Sequence, residues 1–167
     1  MGLGCMPMQA ASAVSPDAQA IHSAAESVQK HLEKSQALFG QKAEALAQLD
    51  AVVAESAEES WGAGGALPID PTAADRARAF IRALPEDLPL PEFAPEPDGS
   101  VSLDWIVSRT RLLSLSIGAG NRLAYAWLDG TDKGHAVASF DGRNVPSRVL
   151  TAIRETVGDG TTSLRAA

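Results

Sequence analysis

The chain has 167 residues and a net charge of −7, with 45% apolar residues, only 5% aromatics and a single cysteine. That length suits one domain, or a smaller domain with an extension, and the acidic balance opposes nonspecific attraction to nucleic-acid phosphates and anionic lipids. Cys5 alone builds neither an internal disulfide nor a multi-cysteine zinc site, which points to a reducing compartment and a cytoplasmic location.

The start, Met1-Gly2-Leu3-Gly4-Cys5, touches two lipidation patterns and completes neither. Met6 stands where myristoylation needs Ser or Thr, and no basic start with an apolar run precedes Cys5. Modification of Cys5 stays open, and residues 1–14 read as a disordered tail. No segment has the roughly 20 apolar residues that a membrane-spanning helix needs.

Residues 15–60 are rich in Ala, Gln, Glu, Lys and Leu and predict a helical arm, with Ser15 or Asp17 as cap and Pro16 in the first turn. Ile21, Ala25, Val28, Leu32, Ser35, Phe39, Lys42, Leu46, Leu49 and Val53 recur at alternating steps of four and three, a coiled-coil-like stripe. Ser35, Lys42 and Gly40 interrupt it, so the arm reads as one long helix or as a hairpin folded near Gly40. Ile21, Val28, Leu32, Phe39, Leu46, Leu49 and Val53 are the expected oligomerisation residues, with packing onto the same chain as the other use of the stripe.

Trp61 to Pro68 holds three glycines and reads as a linker over residues 61–69. A compact domain is expected over 70–157. Asp70-Pro71-Thr72 opens a helix over 71–84 with Ala77, Phe80, Ile81 and Leu84 inward and Arg76, Arg78 and Arg82 toward solvent, as a solvated face or as a site for an acidic partner or phosphate. Pro85, Pro89, Pro91, Pro95 and Pro97 make residues 85–98 an extended acidic spacer.

Alternation predicts four strands over residues 100–140: one with Val101, Leu103 and Trp105 on one side, one with Leu113, Leu115 and Ile117, one with Leu123, Tyr125 and Trp127, and a short one from His135 to Phe140. The short connections favour an antiparallel meander, so the fold class is α+β. Asn144 or Ser147 caps a last helix over 145–157 with Val149, Leu150, Ile153 and Val157 inward, and 158–167 reads as a second disordered tail.

The runs Pro97-Asp98-Gly99-Ser100-Val101-Ser102-Leu103-Asp104-Trp105, Ser114-Leu115-Ser116-Ile117-Gly118 and Arg122-Leu123-Ala124-Tyr125-Ala126 resemble a pattern of small uncharacterised bacterial proteins found in mobile genetic elements. The resemblance spans roughly residues 84–157 and implies a prokaryotic origin and an accessory role, with no activity attached.

No catalytic motif stands out among His135, Asp98, Asp104, Asp129, Asp132 and the strand serines. His135 with Asp132 or Asp129 is the one conceivable proton-transfer set, and it carries the alternative of a small hydrolase or transferase. His22 and His31 lack ligand-like spacing, Gly118-Ala119-Gly120 is too short for a phosphate loop, and the Asp129–Asp132 turn lacks the terminal Glu of a calcium loop, so no cofactor or metal is implied. An antitoxin-like regulator would need Arg76, Arg78, Arg82, Arg109 and Arg111 to converge. The leading expectation is a non-enzymatic adaptor that binds a protein partner or itself, with Trp105, Tyr125 and Trp127 as core rings or, if the helices cover the other sheet face, as an exposed patch.

Overall fold

A computed structural model describes residues 16–58 and 64–158, leaving the side chains of 16–18 and 34–39 outside the described set. Both expected tails except Gly158, with Cys5, Trp61 and the Phe39 side chain, thus lie outside the described residues. The rest is α+β: α1 (Pro16–Ser56), α2 (Pro71–Ala83), β1 (Glu92–Pro95), β2 (Val101–Ser108), β3 (Arg111–Ile117), β4 (Arg122–Asp129), β5 (Asp132–Ser139) and α3 (Ser147–Val157).

Good helix formers carry α1 through Gly40 as a single helix, so the hairpin alternative drops out. The chain divides into one unit ending at Ala37 and another beginning at Leu38. In the first, every described side chain from Gln19 to Glu33 is exposed. In the second, Ala45 and Leu49 are buried in the core, and Leu46, Val52 and Val53 pack against it. The expected division at the glycine-rich linker is corrected accordingly: the last turns of α1 are part of the domain core.

The described part of that linker is stitched into the same unit. Buried Ser56 donates to the Val53 carbonyl (2.8 Å) and accepts from the Ile69 N–H (3.1 Å), while the Leu67 and Asp70 N–H groups donate to the Pro97 and Gly99 carbonyls (2.8 Å each). Gly99 is required there, because its φ is +86° and a Cβ would stand 3.1 Å from the Pro68 carbonyl oxygen. Lys42, a flaw in the stripe by pattern alone, has a structural use: its Nζ donates to the Arg82 (3.1 Å) and Leu84 (2.7 Å) carbonyls at the end of α2.

Asp70 caps α2 by accepting from Thr72 N–H (2.7 Å), with Pro71 in the first turn, and Ala73, Ala74, Ala77, Phe80 and Ile81 form the buried face. The small alanines allow close approach to the sheet, and Phe80 meets Phe140 edge-on with centroids 5.5 Å apart.

The sheet is an antiparallel meander in the order β1-β2-β3-β4-β5. Four strands were expected and five are present among the described residues, because the proline-rich connector contains β1, which pairs Glu92–Pro95 with Asp104–Val101. Proline is tolerated on an edge strand, and Phe93 and Ala94 keep their N–H groups. Val101, Leu103, Trp105, Leu113, Leu115, Ile117, Leu123 and Tyr125 are buried on one face, toward α2 and α3. α3 starts differently from expectation: Pro146 is the N-cap, and the Asn144 N–H donates to Asp141 (2.9 Å). Val149, Ile153 and Thr156 form its buried side.

Candidate binding surfaces

β4 and β5 are joined by the two-residue turn Gly130-Thr131, with Gly130 at φ +63°, which closes the ladder on the Asp129–Asp132 pair. Farther along, Trp127 sits opposite Gly134, where a Cβ would come within 2.2 Å of the indole Cζ2, so the ring lies directly on the β5 backbone. Tyr125 follows 6.1 Å away, centroid to centroid. The two rings floor a groove of about 1030 Å³, whose other wall is the Arg148, Thr151, Ala152 and Glu155 side of α3. One end holds Asp129 and Asp132; the other holds Ser147 and Arg148 at the start of α3.

Arg111 fixes the acidic end. Its Nη2 donates to the Glu155 (2.6 Å) and Gly158 (2.7 Å) carbonyls, capping α3, and its Nε lies 4.0 Å from Asp129 Oδ1. Arg76 donates to the Phe140 carbonyl (2.7 Å) and stands 5.7 Å over that ring, and Arg78 pairs with Asp50 (2.6 Å) and Asp75 (2.8 Å). Arg82 and Arg109 have exposed side chains. Phe140 pairs beside Asn121 at one end of β4, whereas Arg111 pairs with Asp129 at the other. At about 3.3 Å per residue, the strand holds Arg76 and Arg111 roughly 25 Å apart. The five arginines that an antitoxin-like regulator needs do not converge.

Strand parity also separates the proposed proton-transfer set. Asp129 and Asp132 face α3, whereas His135, paired with Ala126, faces the opposite side of the sheet. The register defeats His135 with either aspartate. Asp98 is a turn residue that accepts from the Ser100 N–H (3.0 Å), an interaction that holds its carboxyl below the usual carboxylate range, and Asp104 accepts from Ser102 (2.8 Å). Among the described residues no three His, Cys, Asp or Glu side chains gather as a metal site.

Of the three informative rings, Trp105 and Tyr125 are buried, and Trp105 Nε1 donates to the Pro89 carbonyl (2.9 Å). They are core residues, and Trp127 alone is half-buried in the groove. The opposite sheet face carries a polar set, in which Ser102 meets Ser114 (3.1 Å) and Ser116 donates to Glu96, beside a cross-strand row of Ile106, Leu112 and Leu128 ending at Lys133.

The expected oligomerisation stripe splits in two. Ile21, Val28 and Leu32 are 71%, 60% and 60% exposed, whereas Leu49 is fully buried and Leu46 and Val53 pack on the core. Leu46, Leu49 and Val53 are therefore withdrawn from any intermolecular seam. Lys42, Ser56 and the capping role of Arg111 escaped the sequence reading because their partners lie 40, 13 and 44 residues away. In comparisons with family models, curated proteins and solved structures, nothing matches the chain. Among the described residues, no helix is long and apolar enough to cross a membrane.

Proposed function

We propose that the protein is a non-enzymatic adaptor, cytoplasmic and accessory in role, whose copies pair through the first half of α1. The observation that carries this reading is the exposed seam of Ile21, Val28 and Leu32, with Ala25 between them. Its spacing is the narrow heptad seam of a coiled coil, and it is self-complementary. Positions beside the seam hold His22, Ala24, Gln29 and His31, so no carboxylates face each other when two such helices meet, despite the acidic chain. A helical stretch that buries nothing is marginal in water, and pairing supplies the missing burial.

The test is solution mass by light scattering on the full chain and on a Val28→Glu/Leu32→Glu variant. A wild-type oligomer that becomes monomeric in the variant, with unchanged domain stability, supports the reading. A monomeric wild-type chain overturns it.

A further inference from the structure

The two edges of the sheet are built differently. β1 is four residues long and is bracketed by Pro91 and Pro95, which withhold donors and discourage a further strand. β5 has eight residues, contains no proline and, among the described residues, has no strand on its outer side. Because the two-residue turn makes Asp129–Asp132 a hydrogen-bonded pair, the even-numbered residues of β5 bond to β4. Lys133, His135 and Val137 therefore turn their N–H and C=O groups outward, and Val137 is 50% exposed.

We propose that this edge and the adjoining groove receive an extended segment of a partner protein, which adds to β5 as a sixth strand. Such a strand places alternate side chains on the face where Trp127 and Tyr125 floor the groove along α3. A second copy's β5 is a poor occupant, since the residues it would turn to that face are Asp132, Gly134, Ala136 and Ala138, none of them a large apolar side chain that could fill about 1030 Å³. The partner segment instead carries large apolar residues at alternate positions. Charge sets its ends: Asp129 already faces Arg111, so a basic residue meets Asp132, and an acidic residue meets Arg148 at the start of α3. This deepens the adaptor reading by naming what it binds, and it stands independently of pairing through α1.

The probe is a phage-displayed library of random dodecapeptides selected on the immobilised full chain, with the best peptide then synthesised for fluorescence titration. The expected peptides alternate large apolar with polar residues and carry opposite charges at their ends. N-methylation at alternate backbone positions abolishes binding. Val137→Pro, which removes an outward donor, and Thr151→Trp, which fills the groove from the exposed side of α3, each weaken it more than tenfold. The second variant leaves the sheet untouched, so a folding defect in the first does not decide the result. Failure to enrich any peptide overturns the proposal, as does enrichment of peptides indifferent to Thr151→Trp. Peptides that respond to Thr151→Trp but tolerate N-methylation also overturn strand addition. Light scattering reads pairing through α1 separately, so the two readings fail distinguishably.

Discussion

Leu49→Ala tests whether the end of α1 is part of the domain core. Leu49 is 0% exposed and belongs to the buried cluster that includes Ala73, Ala77, Phe80 and Ile81. Removing three buried carbons at about 0.8 kcal/mol each forfeits about 2.4 kcal/mol of transfer free energy. The cavity left in a packed core raises the total to about 3–5 kcal/mol. For a domain of this size the melting temperature falls by roughly 10–15 °C. Urea and thermal unfolding followed by circular dichroism give both numbers, and Leu32→Ala, at an exposed position on the same helix, is the control. The control should unfold within about 0.5 kcal/mol of wild type when both are compared as monomers, as expected for a surface change. Equal, small effects at Leu49 and Leu32 would refute the assignment and return the whole of α1 to the status of an arm.

Gly134→Ala forces the Trp127 ring off the β5 backbone, since the added Cβ falls 2.2 Å from Cζ2. The expected cost is about 1–3 kcal/mol with a red-shifted tryptophan emission, and unchanged fluorescence and stability would refute the close contact. Arg111→Met leaves the Glu155 and Gly158 carbonyls without their donor, so hydrogen exchange should accelerate in the last turn of α3 while β2 and β3 stay protected. Asp98 and Asp141 are both held below the ordinary carboxylate range, the first by the Ser100 N–H and hydroxyl and the second by the Asn144 and Arg143 N–H groups. Their stabilising contribution is therefore present above about pH 4 and is lost as the pH falls through the lowered values. Asp98→Asn should unfold more easily than wild type at pH 7, with the gap narrowing as acidification protonates Asp98, and a gap that stays constant on acidification would contradict the assignment.

Alternation made β2, β3, β4 and most of β5 legible, because β2, β3 and β4 bury one face, and from Gly134 the even-numbered residues of β5 are half-buried while the odd-numbered ones are exposed. It failed at β1, where proline hides a strand that survives only because it lies on an edge. The stripe on α1 was legible as a stripe, but heptad spacing reports which side of a helix is apolar and not what covers it; Leu32 and Leu49 share the pattern and have opposite burial. For the candidate sites, parity held information that composition did not. Asp132 and His135 are separated by three residues on one strand, and an odd separation on a strand means opposite faces. The groove itself needed long-range knowledge, namely that α3 lies over β2, β3 and β4 and that Gly134 admits an indole.

The difference between the two sheet edges bears on how the protein avoids unwanted association. An exposed strand edge pairs indiscriminately unless it is short, interrupted or charged, and β1 meets the first two conditions with Pro91 and Pro95 around a four-residue strand. β5 meets only the third, through Asp132 and Lys133 at its start, and its remaining residues through Ser139 include no Asp, Glu, Lys or Arg. Lys133 also closes the apolar row of Ile106, Leu112 and Leu128 on the face away from the helices, so the same ammonium guards an edge and a surface. Protection confined to one end leaves Gly134 to Ser139 open to a strand that satisfies the charges at both ends of the groove. A strand lacking them gains the backbone hydrogen bonds but leaves Asp132 and Arg148 without complements, and the edge is selective on that account.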